Sequence, residues 1–116
     1  MESIIEYKKL INGKGFYARI NLEASSSTKP KGLDFTFDVR SKWYNTAFFA
    51  ASYYFEHLRR KGFKELNVNI SFIEDQIVDT SQIVVVYVVL LAIENSLGNN
   101  IIDFEIDDNG NLKLPK

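Results

Sequence analysis

The sequence predicts an α+β fold: a two-layer α/β sandwich in which a mixed sheet of four to five strands carries two helices on one face. Three observations lead there. Several short stretches alternate strictly between apolar and polar residues, the mark of strands with one buried and one wet face. From Ser41 to about Lys61 the apolar spacing switches to three and four, the mark of an amphipathic helix. Finally, eleven apolar residues stand in an unbroken row, Ile83–Ile93, between a polar Asp79-Thr80-Ser81-Gln82 entry and Gly98.

At 116 residues the chain is expected to form a single domain, residues 1–116, around one hydrophobic core. Without cysteine, disulfides, thiolate nucleophiles and Cys-ligated metals are excluded. The start "MESIIEYKKL" has no apolar run behind a basic segment, so it does not read as a signal peptide. The eleven-residue row falls short of the ~20 residues needed to cross a bilayer. The expectation is a soluble, cytoplasmic protein with no membrane partner. Net charge is −1, yet residues 1–64 hold twelve Lys/Arg and six Asp/Glu, while residues 65–116 hold two and nine. Either the halves interleave and neutralise each other, or a basic surface faces an anionic partner.

The elements follow in the order β-β-β-α-β-α-β. "IIEYKKLI" reads as a strand, joined by Asn12-Gly13-Lys14-Gly15, a hairpin signal, to "FYARINLEA". There Phe16, Ala18, Ile20 and Leu22 face the core. "SSSTKPKG" is a loop, and "LDFTFDVR" is a third strand with Leu33, Phe35, Phe37 and Val39 inward. On the first helix the core face is Tyr44, Ala47, Phe48, Ala51, Tyr54, Phe55 and Leu58. Arg59, Arg60 and Lys61 complement its C-terminal dipole, and Gly62 ends it. "LNVNISFI" is a fourth strand with Leu66, Val68, Ile70 and Phe72 inward. In the apolar row, β-branched composition argues for a strand, but capping and length argue for a helix. Asp79 is a good N-cap with Gln82 at the capping-box position, and Gly98 is a left-handed C-cap nineteen residues on. That span exceeds a typical strand, so the row is expected to be helical. "NIIDFEID" is a last strand with Ile102, Phe104 and Ile106 inward, and "LKL" a short edge strand.

This order, with the residues at its joints, resembles domain IV of the translational GTPase elongation factor G, of the ribosomal protein S5 domain 2-like fold. The family's "KQ-GG-GQYA" hairpin corresponds to Lys8-Lys9-Leu10-Ile11-Asn12-Gly13-Lys14-Gly15-Phe16-Tyr17-Ala18, and its "H-D-V-D-S-S" helix entry to Gln76-Ile77-Val78-Asp79-Thr80-Ser81. The similarity runs from about Ile5 to Ile106. It implies a free-standing domain that reaches its target, the ribosome, with the tip loops matching Asn12–Gly15 and Asp75–Ile77. The chain departs from the family in having no GxxxxGK[ST] motif, a shortened Val39–Trp43 loop, and Gln76 in place of the tip histidine.

The chemistry-bearing residues point to binding rather than catalysis. Asp79, Thr80 and Ser81 are accounted for by capping. His57, the sole histidine, has no evident carboxylate or metal partner, and Glu105–Gly110 begins like a calcium loop but has Lys116 where the closing Glu belongs. The expectation is a non-enzymatic module with no cofactor and no metal. Two contact surfaces are candidates. Lys8, Lys14, Arg40 and Lys42, with Asn12, Gly13, Gly15 and Gln76, would gather at one end of the sheet and grip RNA phosphates; the alternative is that these are scattered, solvated side chains. The second surface is apolar. A row greasy all round leaves Val85, Val89 and Ala92 pointing away from the sheet, and Phe49 and Tyr53 stand opposite the core face of the first helix. That surplus either forms a protein interface, a homodimer among the options, or is covered by the other helix or a terminal segment.

Overall fold

The computed structural model describes residues 2–115. Strands β1 (Glu2–Ile11) and β2 (Lys14–Ser27) form a long hairpin. Its turn residues Asn12 and Gly13 both have positive φ, 52° and 80°, the conformation whose twist matches that of the flanking strands. Then come β3 (Gly32–Thr36), α1 (Tyr44–Arg60), β4 (Glu65–Glu74) and α2 (Gln82–Leu97). The sheet runs β1-β2-β4-β3, with β4 antiparallel to β2 and parallel to β3. It is therefore mixed, and its parallel pair is joined through α1. The inward residues Ala18, Ile20 and Leu22 of β2 and Leu66 and Val68 of β4 are buried with Ala47, Ala51, Tyr54 and Leu58 of α1 and the row on α2. The α+β sandwich with both helices on one face is the observed architecture. No helix among the described residues is long and apolar enough to cross a membrane.

Four expectations about strands and inward faces are corrected. The third strand stops at Thr36, leaving Phe37 half-buried and Val39 exposed. Asp38 takes the backbone out of the ladder: its carboxylate accepts from the Arg40 N–H (3.0 Å) and its carbonyl from the Ser41 N–H (3.0 Å). On β4 the pairing passes from Leu22↔Ile70 to Asn21↔Phe72, a bulge at Ser71. The extra residue turns Phe72 to the polar face, where the Arg19 guanidinium lies 5.4 Å from its ring centre and pairs with Glu74 at 2.9 Å. On α1, Phe48 is exposed rather than buried, its ring set against Phe35 and Tyr44 at the β3 edge.

The fourth correction concerns the C-terminus. Of the strand expected over Asn100–Asp107, only β5 (Glu105–Ile106) forms, and it pairs with β6 (Leu112–Lys113) in a separate two-stranded ribbon. The reason is Glu94, buried on α2, whose carboxylate accepts from the N–H groups of Ile101 (2.8 Å) and Ile102 (3.2 Å). Those donors are spent on a side chain and are lost to a sheet ladder. The segment becomes a strap across the outer side of α2. Ile102 and Ile106 are buried beneath it, and Tyr87 of α2 is held edge-on between Tyr7 of β1 (4.9 Å) and Phe104 of the strap (5.5 Å).

From Val84 to Ile93 the apolar row is thereby enclosed by sheet, α1 and strap, which is what a helix hydrophobic all round requires, while Ile83 stays at the surface. Its N-cap is Ser81, not Asp79: Ser81 is extended and its hydroxyl accepts from the Val84 N–H. Gly98, at φ 72°, closes the helix as expected. The few polar side chains of α2 are also used inside the fold. Ser96 Oγ accepts from the Ala24 N–H (2.9 Å), and Asn95 donates to Ser3 Oγ (2.8 Å).

Candidate functional site

Four connecting segments meet at the hairpin end of the sheet. The Asp75–Ser81 loop is pinned to β2 by two bonds: the Tyr17 N–H donates to the Asp79 carbonyl (2.9 Å), and the Thr80 hydroxyl donates to the Tyr17 carbonyl (2.6 Å). The same hydroxyl accepts from the Gln76 N–H at 2.8 Å, closing the loop on itself. Asp79 fills the space over Gly15, where an added Cβ would lie 2.6 Å from Oδ2. The loop before α1 joins through Asp75, whose Oδ2 accepts from Trp43 Nε1 (2.8 Å) and pairs with Lys42 Nζ (3.0 Å). The Asp107–Asn111 turn completes the group: Asn12 Nδ2 donates to the Asp108 carbonyl at 3.1 Å.

The fold thus brings Asn12, Gly13, Lys14, Gly15, Lys42 and Gln76 to one end, as the sequence predicts. Lys8 stands on β1 opposite Tyr17. The electrostatics differ from the expectation. Lys42 is matched by Asp75 and Arg40 by Asp38 (3.3 Å), and Asp79, Asp107 and Asp108 stand at the same end. The Trp43 indole N–H first, then Lys42, holds the Asp75 carboxyl below its ordinary range. The Arg40 backbone N–H, followed by its side chain, does the same for Asp38. Lys8 and Lys14 make no ion pair among the described residues; Lys14 lies 5.7 Å from the centre of the Phe16 ring. The end is close to charge-balanced.

What distinguishes it is apolar. Ile77 is 97% exposed and Val78 84%, and Leu10 and Val39 are also solvent-facing. Val78 lies outside both contact surfaces expected from the sequence, and Ile77 enters only as the end of the Asp75–Ile77 tip loop. Their signal was an apolar pair in a polar connection, outside any strand or helix period.

The second candidate surface is rearranged. Val85, Val89 and Ala92 are fully buried, so they line no external face. Tyr53 is half-buried, and its hydroxyl donates to the Pro115 carbonyl. Phe49 stays exposed beside an open hollow bounded by Asn45, Thr46, Ile83, Val86 and Leu112. His57 Nδ1 lies 3.2 Å from the Tyr53 carbonyl, and since a carbonyl only accepts, that nitrogen carries the hydrogen. Its ring packs on Tyr53, centroids 4.7 Å apart. Asp107 Oδ1 accepts from the N–H groups of Asn109 and Asn111, both at 2.9 Å, which makes the calcium-like stretch a turn. Among the described residues no group of three or more His, Cys, Asp or Glu is placed to hold a metal. Set beside known proteins, the chain matches no family model and no curated protein.

Proposed function

We propose that this chain is a non-catalytic binding module that meets its partner with the hairpin end, through apolar contact more than through a phosphate grip. The observation that carries this is the Ile77–Val78 pair, held in water on a loop whose backbone is already pinned by Tyr17 and Thr80. Ordering such a loop costs little on binding, so burying the pair contributes to affinity nearly in full. The ribosome is the proposed location of the partner. Support comes from the β-β-β-α-β-α order and from the motif likeness to domain IV of elongation factor G. Of the two segments that likeness marks as tip loops, Asn12–Gly15 packs against the loop that carries Asp75–Ile77, with Asp79 of that loop over Gly15.

A second reading, contact through RNA phosphates at the same end, is favoured by Lys8 and Lys14 beside the Asn12-Gly13 turn. Co-sedimentation with purified ribosomes separates the two. The apolar reading expects pelleting that survives high salt and is lost in Ile77→Asp/Val78→Asp. The phosphate reading expects pelleting that high salt abolishes and that Lys8→Ala/Lys14→Ala removes. Absence from the pellet at low salt overturns the ribosomal location.

A further inference from the structure

The far end of the molecule concentrates charge of one sign. β2 ends at Ser27, and the loop from there to Gly32 runs beside the last turn of α1 and the Lys61–Lys64 connection. Two backbone bonds fix the walls to each other: the Lys64 N–H donates to the Ser27 carbonyl and the Gly32 N–H to the Lys64 carbonyl, both at 2.9 Å. Between the walls lies an open groove of roughly 630 Å³, lined by Pro30, Phe55, Glu56, Arg59, Arg60 and Lys64. Lys29, Lys31 and Lys61 flank it, exposed like Arg59, Arg60 and Lys64. Leaving Arg60 aside, two carboxylates among the described residues stand against Lys29, Lys31, Arg59, Lys61 and Lys64. Glu56 engages Arg59 at 3.1 Å, and Glu65 accepts a 2.6 Å bond from the Ser27 hydroxyl. Three positive charges are left in excess among these side chains, in a chain whose net charge is −1.

We infer that this groove binds the phosphate backbone of a single-stranded nucleic acid. The donor inventory chooses that class over an acidic peptide. The N–H groups of Lys29, Lys31, Gly32, Lys61, Gly62, Phe63 and Lys64 are all spent inside the protein. A peptide bound in extended form seeks main-chain partners and finds none among these. A phosphodiester backbone presents acceptor oxygens and needs only side-chain donors, which the Arg59 guanidinium and the lysines supply. Phe55, with the Arg59 guanidinium 5.9 Å from its ring centre, adds an aromatic and cationic wall of the kind on which bases stack. The inference does not depend on the hairpin-end reading, since it concerns the opposite end of β2.

The test is fluorescence anisotropy of a labelled single-stranded RNA with the full chain, without ribosomes. The expected result is binding at low salt, with log K falling against log salt at a slope of about −2 for three neutralised phosphates. Arg60→Glu/Lys64→Glu weakens it at least tenfold, and so does Lys29→Glu/Lys61→Glu, a pair of exposed positions that guards against a folding defect in the first. Ile77→Asp/Val78→Asp leaves it unchanged. The inference is overturned by no binding at low salt, by a salt slope near zero, or by charge reversals without effect. Displacement of the RNA by polyglutamate more readily than by unlabelled RNA of equal charge would assign the groove to acidic polypeptides instead.

Discussion

The two helices have nearly the same length, 17 and 16 residues, and lie on the same face of the same sheet, yet they are different kinds of object. α1 is amphipathic. It buries Ala47, Ala50, Ala51, Tyr54 and Leu58 and shows Phe48, Phe49, Glu56, Arg59 and Arg60 to water. α2 has no wet side over its middle: from Val84 to Ile93 only Tyr87 and Leu91 are less than fully buried in class. The difference is made by the strap that Glu94 draws back over α2 and by Tyr87 between Tyr7 and Phe104. An apolar excess on one helix is therefore not a contact surface when later chain returns to cover it. The faces proposed above for partners lie instead at the two ends, on connecting loops and the last turns of α1.

The comparison breaks most completely if the strap is removed. Cutting the chain after Gly98 takes away Ile102, Ile106 and both backbone donors to Glu94, which leaves a buried carboxylate and an uncovered apolar helix. The expected outcome is loss of the cooperative thermal transition in circular dichroism. A single lysine placed on each helix sharpens the contrast. Val89→Lys puts an unpaired charge where exposure is 0% and should cost more than about 4 kcal/mol. Phe49→Lys, at a site 53% exposed, should stay within about 0.5 kcal/mol. Denaturant midpoints at constant slope read both values. Glu94→Ala falls between, at about 2 to 3 kcal/mol, because the Ile101 and Ile102 donors and the Tyr54 hydroxyl lose their acceptor together. Burial, reinforced by the Glu94 charge, already pushes the Tyr54 hydroxyl's pKa up.

How much of this was readable beforehand depends on the range of the interaction. Period-two alternation and the three-four spacing are local, so the order of elements and most inward residues came through. The helical state of Ile83–Ile93 followed from its length and the glycine after it. The cap did not, because Asp79 and Ser81 are equally good formers and the choice is made by Tyr17, whose N–H takes the Asp79 carbonyl. Nor could the strap be read, since the fate of Ile101 and Ile102 depends on a glutamate that looks like any polar residue near a helix end. At the candidate site the convergence of Asn12, Lys14, Lys42 and Gln76 was foreseen. Their neutralisation was not, because Lys42–Asp75 and the placement of Asp79 over Gly15 are tertiary pairs. The basic groove was hidden differently: Arg59, Arg60 and Lys61 were fully explained by the helix dipole, and the partner loop with Lys29 and Lys31 is distant in sequence.

The smallest predicted effect concerns how α1 begins. Trp43, the sole tryptophan, stands at its N-cap position and donates to Asp75, in the connection between β4 and α2. The Asp75 pKa is depressed in the folded state. Its stabilising contribution is therefore complete above the unfolded value of about 3.9 and is lost as pH falls through the lower folded value. Tryptophan emission should be flat from neutral pH to about 5 and shift only below about 4. Asp75→Asn should remove that step.

The claim on which the rest depends is that the helical layer is closed on itself around α2. Because the chain has no cysteine, single thiols report it cleanly. Thiol labelling of native Val89→Cys and Phe49→Cys should differ by a factor on the order of a thousand or more, with position 49 reacting as an exposed thiol and position 89 reacting only through unfolding. Equal labelling rates at the two positions, in proteins shown to be folded, would contradict the enclosure of α2.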